Sequence, residues 1–287
     1  MRNRKMTENK EYQLTEENYY QDTLFLSKSR FSEYMKCEAR QLAIDHGLWE
    51  DNKNDNKALV IGNYIHSAFE SQEAHERFVA DNEDSILTKN KKGKLADFKT
   101  ADSVIESLKN DDVFLTLYDG EKGDSVEKEL IVTGELAGVP FKGKIDTINH
   151  SQGYFVDLKT MKSVRGKEWS NTLGQYTANV IANIFDYGYA LQMYIYHELL
   201  LQQEGDFFTP YIFAVSKQEC PDKELVLFDD KTLKYGEELF NKHIGRVKDV
   251  IAGKVLPRHC GKCPYCVEHR VITRAKTIDE IMSEFSA

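Results

Sequence analysis

Apolar positions along this chain fall first at helical spacing, then at strand spacing, then at helical spacing again. In LSKSRFSEYMKCEARQLAIDHG, the residues Phe31, Tyr34, Met35, Ala39 and Leu42 line one face of a predicted helix that Ser27 can cap and Gly47 can end. After the charged stretch WEDNKNDNK, Leu59, Ile65, Phe69 and Phe78 predict one further amphipathic helix through ALVIGNYIHSAFESQEAHERFV. ADSVIESLKND predicts a short surface helix. The segments SVEKELIVTGELAG, VPFKGKIDTINH and QGYFVDLKTM alternate or run apolar between turn signals, Gly138 and then Ser151 to Gly153, and predict a meander of strands. A helix from about Tyr187 to Gln203 follows, with Leu191, Tyr194, Ile195 and Leu199 in its apolar set. TPYIFAVSK and KELVLFD return as strands, and a last helical segment leads to a cluster of cysteines. This order predicts an α/β (α+β) fold, a central mixed sheet flanked by helices.

Composition narrows the picture. A chain of 287 residues with 41% hydrophobic content can bury one sizeable core. The first 23 residues, polar and acidic, are expected to be a disordered arm, and residues 24–287 a single domain with a Cys-rich segment at 257–270. No apolar run reaches the length of a membrane span and the polar start lacks a signal-peptide core, so a cytoplasmic protein without membrane partners is expected. A net charge of -9 argues against coating nucleic acid with the whole surface. From Lys242 to Lys276, however, nine Lys or Arg face two acids, a local excess of +7 that suits either phosphate contact or a solvated helix face.

The densest chemistry lies in KGKIDTINHSQGYFVDLKT. The two-residue period of a strand puts Asp157 and Lys159 on one face, and a hairpin would bring Asp146 to Asp157. Two close carboxylates repel unless a cation joins them, and oxygen donors suit Mg2+ or Mn2+. A lysine beside such an ion can orient water or meet developing charge during phosphodiester hydrolysis. The tripeptide D-x-K is common by chance, so its company matters. Gly62, His66 and Glu70 recur at one-turn spacing upstream, and Gln192 and Tyr196 downstream.

In this order GNYIHSAFE, GKID, VDLK and QMYIY resemble the four motifs of RecB-like exonucleases of the PD-(D/E)xK superfamily, from about Phe25 to Cys266. Within it the chain is most similar to phage and prophage RecE-like exonucleases that work with a single-strand annealing protein. The resemblance implies a restriction-endonuclease-like core. It implies that His66, Asp146, Asp157 and the Leu158 backbone carbonyl ligate Mg2+ or Mn2+, that Lys159 is the catalytic lysine, and that Gln192 and Tyr196 line the DNA groove. It further implies attack on duplex DNA ends, 5′ to 3′ digestion, a role in recombination or repair, and a homo-oligomer. A non-catalytic DNA-binding or scaffolding module and an RNA or CRISPR-adaptation nuclease are the alternative functions.

Cys260, Cys263 and Cys266 are spaced like three ligands of a four-iron cluster, with Cys37 or Cys220 available as a fourth. Zn2+ held by three cysteines with His259, His269 or Cys37 is the alternative. Resemblance to AddB-type and CRISPR-associated iron-sulfur nucleases implies Cys37 as the fourth ligand, in a 4Fe-4S staple. The gap before Cys266 is shorter here than in many of those enzymes.

Overall fold

The computed structural model describes residues 14–50 and 57–285. In chain order its elements are β1 (Leu26–Ser27), α1 (Lys28–Lys36), α2 (Glu38–Asp45), α3 (Lys57–Glu70), α4 (Gln72–Asp81), α5 (Glu83–Ile86), α6 (Ala96–Lys109) and α7 (Asp112–Asp119). Then come β2 (Val126–Leu136), β3 (Val139–Asn149), β4 (Tyr154–Met161), β5 (Lys167–Ser170), β6 (Gln175–Ala178), α8 (Asn179–Asp186) and α9 (Tyr189–Glu204). The chain closes with β7 (Thr209–Ser216), β8 (Lys223–Leu227), α10 (Asp230–Ile251), α11 (Pro264–Glu268) and α12 (Ile278–Phe285). These form two compact units, Met1–Ser29 with Lys53–Gly245, and Arg30–Asn52 with Arg246–Ala287. Among the described residues no helix is long and apolar enough to cross a membrane.

The first unit is built on a mixed six-stranded sheet in the order β1-β3-β4-β7-β8, with β2 on the other edge of β3. The predicted meander is β2, β3 and β4, all antiparallel neighbours, while β7 returns parallel to β4. One face carries α3, α6 and α7, whose Tyr64, Ile65, Phe98, Leu108 and Phe114 pack with Val156, Leu158 and Phe213 of the sheet. The α6 helix is therefore a core element and not the surface helix expected. The window ADSVIESLKND stops short of Phe98, and the apolar face becomes continuous only with it, Ala101, Val104, Ile105 and Leu108. On the other face α9 packs against β2 and β3.

Two predicted helices are each a pair. The segment from Lys57 to Asp81 breaks at Ser71, whose Oγ accepts the Ala74 N–H at 3.0 Å and caps α4, and Leu59 is 55% exposed. In the second unit, the segment after Ser27, which itself lies in β1, breaks at Cys37, extended at φ -161. Of the arm expected to be disordered, residues 1–13 lie outside the described residues. Residues 14–23 form turns in which the Tyr19 ring is buried, because the buried Lys142 ammonium donates to the Tyr19 carbonyl at 2.5 Å and the Asp22 carboxylate at 3.0 Å. Once desolvated, that ammonium requires acceptors, and the turn supplies them.

Candidate active site and a four-thiol group

The expected hairpin is present, and its register shows how the site opens. Thr147 pairs with Val156, and the ladder between β3 and β4 ends there, one position before Asp146 and Asp157 would face each other. On that same edge of β3, β1 pairs with Phe141 and Lys142. Asp146 thus lies in a fork between β1 and β4. Its other neighbour is also irregular. The β2 register passes from Lys128 opposite Thr147 to Leu130 opposite Ile145, skipping Glu129, which stands at φ +56 where strand geometry would oppose Asp146.

Into this fork the sheet and helices bring the predicted residues together. Asp146 Oδ2 accepts the Leu158 backbone N–H at 2.7 Å and lies 3.3 Å from His66 Nδ1 on α3. Asp157 is 2% exposed; its Oδ2 meets the Lys159 ammonium and finds no other partner among the described residues. Lys159 Nζ also sits 5.3 Å from the centre of the Tyr189 ring. Gln192 and Tyr196, expected to line a groove, are each only 8% exposed. Gln192 instead donates its amide N–H to Asp157 Oδ1 at 2.5 Å. Tyr196 is packed over β3 at Gly143, where an added Cβ would come within 2.6 Å of the ring. Both side chains lie where α9 covers the sheet, Gln192 against Asp157 and Tyr196 against Gly143.

Electrostatics divides the carboxylates. Burial pushes the Asp157 carboxyl up to about 6, with Asp146 adding to the rise and Lys159 opposing it. Burial also raises Asp146, but His66, Lys159 and the Leu158 N–H outweigh it and hold the group below the usual carboxylate range. His66 is raised despite burial because Asp146 adjoins it. Glu129 and Lys144 are additional members of this neighbourhood. Their side chains pair at 2.5 Å, and burial, then Asp146, push the Glu129 carboxyl up to about 7. Lys144 was legible in principle, being two positions from Asp146 on one strand face. Glu129 carried no signal, because its left-handed backbone interrupts the alternation that would have pointed to it.

The donor set fits a hard divalent cation: two carboxylates of unequal basicity, one with a buried oxygen held only by a lysine, beside an imidazole. A family described as a PDDEXK-like domain of unknown function (DUF3799) matches residues 27–269. The chain belongs to the PDDEXK-like family. No curated protein matches this PDDEXK-like chain. Among solved structures it is similar to a candidate exonuclease from Eubacterium rectale, with 29% identity over 95% of this chain and 99% of that one and a TM-score of 0.79. A second structure, SSO0001, is 14% identical over 78% of this chain and 100% of its own, at a TM-score of 0.28 too low to bear on function.

In the second unit of this PDDEXK-like protein, Cys37, Cys260, Cys263 and Cys266 converge so that their sulfurs all lie within 4.8 Å of one another. Cys220, the rival for fourth place, is exposed and outside the group. The break at Cys37 makes this possible, since continuous helix there would deny its backbone the extended turn it adopts. Around the thiols Glu38 binds the Arg246 guanidinium at 2.8 and 3.1 Å and the Arg258 N–H at 2.8 Å. Part of the basic excess is consequently spent on internal pairing, with Arg246 on Glu38 and Arg274 on Glu280. Although burial raises Cys260, the N–H groups of Lys262 and Cys263 bring its thiol down to about 6, whereas burial pushes Cys263 up to about 12.

Proposed function

We propose that this protein is a metal-dependent deoxyribonuclease that digests one strand of duplex DNA from an end, 5′ to 3′, in recombination or repair. The meeting of His66, Asp146, Asp157 and Lys159 in the fork of the sheet carries the reading. His66, Asp146, Asp157 and the Leu158 carbonyl would hold Mg2+ or Mn2+, which when bound polarises a phosphodiester and makes water acidic enough to attack it. Gln192 fixes the rotation of Asp157. Lys159, kept protonated by the two aspartates against the pull of burial, orients water or meets charge developing on the phosphate oxygens. Attack from an end is supported by the likeness to the Eubacterium rectale protein. Polarity, an annealing-protein partner and a homo-oligomer rest on the RecE-like motifs alone.

End-labelled duplex DNA, single-stranded DNA and RNA, each with Mg2+, Mn2+ or chelator, test this. The wild type should shorten one strand of the duplex only with metal, and Asp146→Asn, Asp157→Asn and Lys159→Ala should each lose at least about 100-fold in rate. Near wild-type cleavage by Lys159→Ala would remove the proposed site. Preferred digestion of RNA would favour the RNA-nuclease alternative, and no digestion at all a scaffold.

For the thiols the proposal is a structural metal site. Three of the six sulfur separations, 3.5, 3.7 and 3.9 Å, lie near the edge of about 3.8 Å that a tetrahedron has at a Zn–S distance of about 2.3 Å, and all six lie within 4.8 Å. A four-iron cluster binds each cysteine through a different iron and would spread them farther. Geometry thus favours one tetrahedral ion, Zn2+, over the 4Fe-4S cluster that the spacing suggests.

A further inference from the structure

Eight residues beyond Lys159 the chain leaves the main sheet and forms the separate two-stranded sheet β5–β6, joined at its tip by Asn171 to Gly174. Trp169 and Tyr176 face each other across it, with ring centres 5.2 Å apart and edge to face. They are 46% and 61% exposed, and Leu173 at the tip is 37% exposed. A pair placed merely to hold two strands together would bury more of its area, since the favourable term is the apolar surface withdrawn from water.

An isolated hairpin is marginal by itself, yet this one is rigidly mounted. Buried Ser170 donates its hydroxyl to Asp186 Oδ1 at 3.1 Å, and the same carboxylate accepts the N–H groups of Asn171 at 3.0 Å and Thr172 at 2.9 Å. At the base Asn179 N–H reaches the Gly166 carbonyl at 2.8 Å and Val180 N–H the Val164 carbonyl at 3.0 Å. Five hydrogen bonds therefore mount a pair of partly exposed aromatic rings. Positive charge accompanies them. Lys167 Nζ stands 4.5 Å from the centre of the Tyr176 ring, and Lys162 is exposed on the approach from β4, in a chain of net charge -9.

Exposed aromatic rings beside lysines suit an unpaired nucleic-acid strand, whose bases stack on the ring area left uncovered while its phosphates pair with ammonium groups. Resting on the nuclease reading above, we propose that the β5–β6 hairpin is a stacking platform for unpaired bases of the DNA strand, with Trp169 and Tyr176 as its contacts and Lys167 as its phosphate partner. Duplex bases keep their faces covered by their neighbours, so the platform would select frayed or separated ends over intact helix.

Binding can be followed without cleavage by titrating a labelled dT12 oligonucleotide in chelator, reading its anisotropy together with tryptophan emission. Saturating dT12 should quench wild-type emission, and Trp169→Phe should lose that change while retaining most of the affinity. Trp169→Ala and Tyr176→Ala should each weaken dT12 binding about 5- to 150-fold, the range for one lost stacked base. A blunt twelve-base-pair duplex should be affected far less. Alanine variants that melt at the wild-type temperature and bind dT12 unchanged would overturn the proposal. So would wild-type emission indifferent to saturating dT12, a result that stands even if the alanine variants fail to fold. A protein that cleaves duplex but gives no such signal loses the platform and keeps the nuclease reading; one that gives the signal but cleaves nothing does the reverse.

Discussion

Gln192 shows how one residue type changes meaning once it is buried. Its amide reaches Asp157 Oδ1 at 2.5 Å, so under the proposed function it would act on the reaction through the carboxylate that would hold the metal. Residues that orient a ligand in this way usually contribute about 10- to 100-fold in metal affinity or activity. Gln192→Ala should therefore raise the Mg2+ concentration needed for half-maximal cleavage by about that factor. A variant whose metal dependence is unaltered would leave Gln192 with packing alone. His197, further along the same helix, gives a pH signature. It is 13% exposed with Nδ1 buried and unpaired, and burial holds its imidazole below the usual range. The unfolded chain takes up that proton near pH 6.5 while the folded chain resists, so stability present above pH 6.5 is lost as pH falls. Between pH 7.5 and pH 5.5 the raised Glu129, Asp157 and His66 act the other way, so the urea midpoint of His197→Gln should gain on that of the wild type as pH falls; an unchanged difference would leave any loss on the acid side to groups such as His75 and His243, which burial depresses in the same direction.

Between helices, α10 offers two glycines with opposite expectations. A Cβ at Gly236 would come within 2.3 Å of the Ala190 carbonyl oxygen on α9, whereas one at Gly245 would meet nothing within 4 Å. Gly236→Ala should destabilise the protein by about 1–3 kcal/mol because backbone cannot give way as a side-chain end can. Gly245→Ala should stabilise it by up to about 1 kcal/mol through helix propensity alone. Calorimetric melting of both variants checks the pair. Such close approaches could not be read from the sequence, where both glycines look like ordinary helix defects. The site was more legible: the strand period and the expected hairpin pointed to Asp146, Asp157 and Lys159, while His66 stood out only through the resemblance of its motif. Breaks at Ser71 and Cys37 were hidden, since the apolar spacing continues past them. The β5–β6 hairpin was hidden too, because its aromatics face water and leave no apolar alternation to detect.

For the whole molecule, the second unit is assembled from two segments that meet at the four thiols. If metal holds them, metal binding and folding of that unit are one free energy. Purified protein should contain about one zinc per chain, and chelation or Cys37→Ser should lower its melting temperature while Cys220→Ser changes nothing. Brown protein with about four irons would reverse the choice of metal without disturbing the ligands. Metal-free protein of full stability would remove the site. The division of the unit also sets an order on biosynthesis. A ribosome delivers residues 30–50 before the sheet that carries Asp146 and Asp157 is complete, and Cys260, Cys263 and Cys266 only after it. Cys37 must wait as a solitary thiol through more than 200 residues of translation. Loading of a metal there would thus follow completion of the sheet, and a chain interrupted before Cys260 carries every strand of the sheet but only one of the four thiols.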